Sequence, residues 1–199
     1  IPVDEEVKEI RRNLWKGDDA EVKKVDDVEY LVAGSFDGTF NMQMLQGPSK
    51  IPESVAMPYK SMGTGSDLAE AVLDHTFSQR NENEPLTVEE GTKIAIKAWN
   101  RAASQNIGVG GKPDIKIYEA TENDYSVTDP GFDEANLISE LVTGYTTLFE
   151  NKRLLPNEFV DEAIQDVLED KNLNEVEEAM WDETTNETAL NRVLRGYSL

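Results

Sequence analysis

An alternating stretch on either side of an Asp-Gly pair constrains the fold of this chain more than any other feature. Every second residue is Val or Tyr over 28–32, and Phe or Met over 40–44. Period-two alternation is typical of a strand that buries one face. Between the two runs, Asp37 and Gly38 readily adopt the left-handed conformations of a tight turn. The sequence therefore predicts a β-hairpin over residues 28–45, with its methionines as core side chains.

The segments before and after the hairpin are predicted from weaker patterns. Residues 4–16 place Val7, Ile10 and Leu14 on one face, which indicates an amphipathic helix. Residues 46–60 contain three prolines, Pro48, Pro52 and Pro58. Because proline is confined to the edges of sheets, this region is predicted to be a connection with a short edge strand near Val55–Tyr59.

A glycine-rich turn, Gly63-Thr64-Gly65-Ser66, precedes the first of two consecutive predicted helices. Ser66 or Thr64 is expected to cap this helix. A phosphate-binding P-loop is not supported, because no Lys-Ser or Lys-Thr pair follows the glycines. The predicted buried stripe is Leu68, Ala69, Val72 and Thr76. His75 lies beside that stripe and is interpreted as a satisfied or half-exposed histidine rather than a catalytic one.

The second helix begins at a predicted capping box formed by Thr87 and Glu90. Its apolar stripe is Ile94, Ala95, Ala98, Trp99 and Ala102. A glycine loop over 108–111 then leads into a predicted strand over 114–120. Beyond the break at Asp129-Pro130-Gly131, the chain shows helical periodicity over 133–151, after Pro156, and near 174–182 and 185–195. No strand is predicted after about residue 128.

This order of elements resembles the second half of a proteasome-family subunit, in the N-terminal-nucleophile hydrolase superfamily. The resemblance is carried by the segments 30–34, 37–38, 62–66, 68–69, 86–91, 95–98 and 113–117. It implies an α+β fold of the αββα layered-sandwich type over residues 1–128, followed by a C-terminal helical extension over 129–199. The first strands and first long helix of the family have no counterpart here.

The resemblance also implies a chemistry, which is amide hydrolysis by a mature N-terminal Thr, Ser or Cys. This chain begins with Ile1, so the expectation is that it carries no nucleophile of its own. Thr64 corresponds to a serine in the family's glycine turn and keeps a hydroxyl. Asn106 and Val109 stand where active subunits have an aspartate and a serine. Asn106 keeps a hydrogen-bond acceptor and Val109 does not, which favours a non-catalytic subunit or a diverged site.

Composition limits the partners and cofactors. The chain has 40 acidic and 19 basic residues and a net charge of −21, which disfavours nucleic acid and anionic membranes as partners. Adaptation to a salty cytoplasm and a surface for a basic partner both explain the charge, and we favour the first. The chain has no cysteine and one histidine, so thiolate and two-imidazole sites are excluded. We predict no cofactor and no metal.

Three functions follow as alternatives. The first is a proteasome-like, non-catalytic scaffold or interaction subunit in the cytoplasm of a salt-adapted archaeon. The second is an N-terminal-nucleophile hydrolase whose nucleophile lies outside this chain. The third is an acidic protein-interaction module unrelated to proteasomes. Because proteasome-family subunits assemble into rings, the resemblance implies protein partners or a homo-oligomer. No membrane partner is predicted, since no apolar run approaches the ~20 residues of a membrane span.

Overall fold

The protein has an α+β fold whose residues group into two compact units, Ile1–Lys60 and Ser61–Leu199. A computed structural model describes residues 29–36, 39–46, 51–81, 85–120 and 125–197. The helix predicted over residues 4–16 and the turn residues Asp37 and Gly38 therefore lie outside the described residues. The domain boundary after residue 128, which the resemblance implies, stays a prediction.

The first unit contains an antiparallel sheet of three strands, β1 (Tyr30–Phe36), β2 (Thr39–Gln46) and β3 (Ile51–Ser54). Strands β1 and β2 pair from Tyr30 opposite Leu45 to Phe36 opposite Thr39. The predicted hairpin is thus confirmed. Among the hairpin residues whose burial the structure describes, Leu45 is buried, Met42 and Met44 are half-buried, and Phe40 is 60% exposed. The prediction that the methionines are core side chains was therefore wrong.

The edge strand was predicted too late in the sequence. Strand β3 pairs with the end of β2, with Pro52 opposite Leu45, and the last hydrogen bond runs from the Val55 N–H to the Met42 carbonyl oxygen, 3.0 Å apart. A proline is tolerated here because an edge strand needs only half of its N–H groups for pairing. The pairing thus ends at Val55, where the predicted strand was to begin.

The second unit opens with two consecutive helices, α1 (Ser66–Ser78) and α2 (Val88–Gln105). Thr87 is the N-cap of α2, and its hydroxyl accepts a hydrogen bond from the Glu90 N–H at 3.2 Å. This half of the predicted capping box is confirmed. The Glu90 carboxylate accepts instead from Arg80, at 2.9 Å.

The buried face of α2 is wider than the single stripe that the sequence predicted. Ile94, Ala98 and Ala102 are buried as expected, but Ala95 is exposed and Ile96 is buried. The reason is that α2 packs against α1 on one side and against later helices on the other. In α1, Leu73 is the buried residue, next to the predicted stripe.

A two-stranded antiparallel sheet, β4 (Ile117–Ala120) and β5 (Tyr125–Thr128), separates these helices from the C-terminal ones. The helices that follow are α3 (Phe132–Thr146), α4 (Asn157–Leu168), α5 (Leu173–Glu183) and α6 (Glu187–Leu194). The predicted helices after Pro156, near 174–182 and near 185–195 are confirmed. Gly196 follows the last helix with φ +77°.

The region between α3 and α4 differs from the prediction. Helix α3 ends at Thr146 rather than at residue 151, and the short strands β6 (Leu148–Phe149) and β7 (Lys152–Arg153) pair antiparallel. The expectation of no strand after residue 128 was therefore wrong. Glu150 and Asn151 connect the strands with φ values of 50° and 65°, the left-handed conformations of a tight hairpin turn. Leu148, which lies in the predicted helix over 133–151, belongs instead to β6 and is 60% exposed.

The hydrophobic core of the second unit is centred on α3. Helix α3 contacts α2, α4, α5 and α6. Its residues Ile138, Leu141 and Val142 are fully buried. The surrounding fully buried side chains come from the segment after β7 and from the last helices, and include Leu154, Leu155, Val160, Ile164, Met180 and Leu190.

Gly144 in α3 provides a test of this packing. A methyl group added at Gly144 would lie 2.5 Å from Cδ1 and 2.8 Å from Cγ of the fully buried Leu155. Gly144→Ala is therefore expected to destabilise the protein by about 1–3 kcal/mol, as overpacking in a tight core does. The measurement is urea-induced unfolding followed by circular dichroism.

Gly91→Ala in α2 is the matched control. Its new methyl group would lie 3.3 Å from Cδ2 of Leu86, an exposed side chain that has room to move. Alanine is preferred over glycine inside helices, so this variant is expected to gain up to about 1 kcal/mol. An equal gain in Gly144→Ala would contradict the close approach of α3 to Leu155.

Candidate functional site

The three positions singled out by the family resemblance, Thr64, Asn106 and Val109, lie together in the second unit. A Cβ atom on Gly65 would lie 2.8 Å from Cγ2 of Val109 and 3.8 Å from Nδ2 of Asn106. A Cβ atom on Gly108 would lie 3.0 Å from Cγ2 of Thr64. We call residues 63–66 and 106–109, which meet here, the glycine junction.

Left-handed glycines shape the first side of the glycine junction. Gly63 and Gly65 have φ values of 82° and 86°, which residues with a side chain rarely adopt. The Ser66 N–H donates to the Gly63 carbonyl oxygen at 3.1 Å, and the Ser61 hydroxyl donates to the Ser66 carbonyl oxygen at 2.8 Å. The N-cap is Gly65, with no side-chain cap, so the prediction that Ser66 or Thr64 caps α1 was wrong.

Asn106 shapes the second side of the glycine junction. Its side-chain oxygen accepts a hydrogen bond from the Gly108 N–H at 3.0 Å, and its carbonyl oxygen accepts from the Val109 N–H at 3.0 Å. These bonds form the side-chain-stabilised turn for which asparagine is favoured. Asn106 thus has the hydrogen-bond acceptor that the sequence predicts, but this acceptor is bound to the backbone N–H of Gly108 in its own loop.

The chemistry available at the glycine junction is limited. Thr64 is exposed, Asn106 is half-buried, and Val109 packs against Gly65. None of these three side chains exchanges a proton near neutral pH. His75 is exposed in the last turn of α1, about 14 Å along the helix from Ser66 at the usual rise per residue, so it does not complete this site.

Comparisons with models of known protein families, with curated proteins and with solved structures found no match. Among the helices in the described ranges, none has the length and apolar character needed to span a bilayer. In the same part of the chain, no group of three or more His, Asp or Glu side chains is arranged to hold a metal ion.

A second feature of this unit was missed by the sequence analysis. A cavity of about 210 Å³ opens beside α2, and the residues that line it include Arg80, Glu90, Lys93, Lys97, Tyr145 and Asn157. Arg153 lies next to it, with its guanidinium carbon 4.0 Å from the centroid of the Tyr145 ring. We call this cavity with its basic residues Arg80, Lys93, Lys97 and Arg153 the cationic cleft.

Most charges of the cationic cleft have partners. Lys93 is buried, donates to Asn157 Oδ1 at 2.9 Å, and forms an ion pair with Asp161. Arg80 pairs with Glu90 at 2.9 Å, and Arg153 donates to the Tyr145 carbonyl oxygen at 2.8 Å. Lys93 also lies 5.1 Å from the centroid of the Tyr145 ring, within range of a cation–π interaction.

Lys97 differs from the other cations of the cleft. Within the described part of the chain, its ammonium group has neither a hydrogen bond nor an ion pair. Burial lowers the pKa of Lys97, and the positive charges of Arg153 and Lys93 lower it further. The sequence did contain a signal for a basic site, since Lys93 and Lys97 are four residues apart and therefore share a face of α2.

The two left-handed glycines of the glycine junction form a matched pair for mutation. Gly63→Ala adds a methyl group with no neighbour within 4 Å, so we expect only the left-handed backbone cost of about 1–2 kcal/mol. Gly65→Ala has the same cost and adds a collision with Val109 and Ala102, at 2.8 and 3.2 Å. We expect Gly65→Ala to be less stable than Gly63→Ala by at least about 1 kcal/mol in urea unfolding. Equal losses would contradict the contact between the two loops.

Lys97→Met tests the electrostatics of the cleft. A lysine with a lowered pKa in the folded state destabilises the fold at every pH below that pKa. The penalty then disappears as the pH rises through the folded pKa towards the ordinary value of 10.5. Lys97→Met is therefore expected to be more stable than the natural protein at pH 7, by no more than about 1 kcal/mol.

The measurement is the free energy of unfolding of both proteins between pH 7 and pH 10.5, and the difference should shrink as the pH rises. The charged and titratable groups around Lys97 are Arg80, Glu90, Lys93, Tyr145, Arg153 and Asp161. Lys152→Met removes the same charge from an exposed position on β7, and it should show no such gain. A gain in Lys97→Met that stayed constant with pH would contradict the electrostatic cause.

Proposed function

We propose that this chain is a proteasome-like, non-catalytic protein that acts as a scaffold or interaction subunit, with an αββα layered arrangement. The observation that supports this proposal is the glycine junction. Thr64 and the pair Asn106 and Val109 are far apart in the sequence, and they meet around Gly65 and Gly108. A site of the proteasome-family type, built from a glycine turn and a later loop, requires these two segments to lie side by side.

The residue types at the glycine junction support a non-catalytic role. General acid–base catalysis needs a group whose pKa lies near the working pH. Thr64, Asn106 and Val109 supply no such group, and the Asn106 side-chain oxygen already accepts from Gly108. An amide hydrolase that used this site would need its nucleophile and its base from elsewhere, which is the alternative enzyme hypothesis.

Exposed apolar side chains support an interaction role. Tyr118 and Val127 are 66% and 46% exposed, and they are opposite each other across β4 and β5. Cross-strand partners project from the same face of a sheet, so the two side chains form an apolar patch. Such patches are typical of surfaces that contact other proteins, and we assign this one to self-association.

The charge of the chain supports a salt-rich cytoplasm as its environment. A net charge of −21 opposes the meeting of two copies at low ionic strength. At 1 M salt the Debye length falls to about 3 Å, which removes most of this repulsion. Salt would therefore favour assembly through the apolar patch of Tyr118 and Val127.

The test is sedimentation velocity of the purified chain at low salt and at about 1 M salt. We expect oligomers that increase with protein concentration and with salt. Tyr118→Ser should weaken this assembly because it removes the aromatic side chain from the patch. Tyr197→Ser is the matched control, since Tyr197 is 64% exposed and follows the last helix, outside the patch.

Two results would contradict the proposal. A monomer at both salt concentrations would exclude self-assembly of this chain. Hydrolysis of fluorogenic peptide amides by the purified protein, lost in Thr64→Val, would exclude the non-catalytic role and favour the enzyme alternative.

A further inference from the structure

The cationic cleft is an exception in an acidic protein. The chain carries a net charge of −21, yet three cationic side chains and one carboxylate line the cavity, namely Arg80, Lys93, Lys97 and Glu90. A fourth cation, Arg153, stands next to them over the Tyr145 ring. The local charge is therefore opposite in sign to that of the whole molecule.

Within the described part of the chain, the ion pairs of the cleft leave two of its four cations without a carboxylate, Lys97 and Arg153. Of these two, Arg153 still donates to the Tyr145 carbonyl oxygen. Glu90 is bound by Arg80 at 2.9 Å, and Asp161 is shared between Lys93 and the Asn157 amide, which donates to it at 2.9 Å. Lys97 lies among these groups, and the charges that act on it most strongly are those of Arg153 and Lys93. A half-buried ammonium group without a partner loses hydration and receives no compensation.

From this geometry we propose that the cationic cleft binds a small oxyanion, with the Lys97 ammonium group as its principal hydrogen-bond donor. The bound anion supplies a partner for Lys97, and it is also attracted by the positive charge of Arg153, which lies over the ring of the cavity-lining Tyr145. Charge-assisted bonds of this type are among the strongest single contacts in proteins. The inference does not depend on the scaffold role, because the residues that line the cleft belong neither to the glycine junction nor to the patch of Tyr118 and Val127.

The size of the cavity restricts the ligand. Its volume is about 210 Å³, and a water molecule takes up about 30 Å³ of liquid. Phosphate or a short carboxylate fits in such a space together with some of its water. Cavities that enclose larger ligands begin at about 300 Å³, so a nucleotide is too large to be enclosed here.

The experiment titrates inorganic phosphate into the full chain at constant ionic strength, with chloride as the balancing anion, and follows the Lys97 side chain by NMR. Saturable binding with one phosphate per chain is expected, together with a rise in the Lys97 pKa as the site fills. Isothermal titration calorimetry gives the affinity. Lys97→Met should weaken binding by about tenfold or more, the usual effect of losing one charge-assisted hydrogen bond.

Lys152→Met is the control for the change in overall charge, and its phosphate affinity should equal that of the natural protein. An acetate titration then distinguishes the two sources of oxyanion, since a tighter acetate complex would assign the site to carboxylates and a tighter phosphate complex to phosphates. Failure of both anions to saturate the natural protein up to about 10 mM would overturn the proposal. So would equal phosphate binding by Lys97→Met, and the Lys97 NMR signal of the natural protein decides the matter if that variant does not fold.

Discussion

The burial of α3 is the interaction on which the rest of the unit Ser61–Leu199 depends. Ile138, Leu141 and Val142 have no exposed surface, and burying a side chain of this size contributes about 1.5–3 kcal/mol. Four other helices contact α3. Their positions relative to one another are therefore set mainly by how each of them packs on this helix.

Polar contacts then set how α2 lies on α3. The Asn100 amide donates to the Thr143 hydroxyl at 3.1 Å, and the Ser139 hydroxyl donates to Asn100 Oδ1 at 3.2 Å. These half-buried groups need partners, so a shift of α2 along α3 would leave them unsatisfied. With α2 held in this register, its middle places Lys93 and Lys97 beside α3 and α4, and its end places Asn106 beside the start of α1. The cationic cleft thus depends on the packing of α2 against α3 and α4, and the glycine junction depends on the packing of α2 against α1.

The same packing explains how far the sequence was informative. Periodicity predicted the hairpin and the helices, because each of these elements repeats its pattern several times along the chain. It missed β6 and β7, since two-residue strands are too short to show alternation, and their turn residues Glu150 and Asn151 are not glycines. For the candidate site, the resemblance identified three positions that the fold brings together. For the cleft, the only sequence signal is the spacing of Lys93 and Lys97 on one face of α2, because Lys93 and Asp161 are 68 residues apart and meet only after α2 and α4 have packed.

The two sites also differ in what their residues require. At the glycine junction every contact serves the fold, since glycine allows the close approach, Asn106 bonds to its own loop, and Val109 fills the remaining space. In the cationic cleft the fold alone would be better served by an apolar residue at position 97, because a methionine there would fill the same space without a desolvated charge. Burial, together with the charges of Arg153 and Lys93, lowers the pKa of the Lys97 ammonium group, so its positive charge opposes folding. A bound anion changes the sign of this contribution, so the cleft is accounted for by binding rather than by stability.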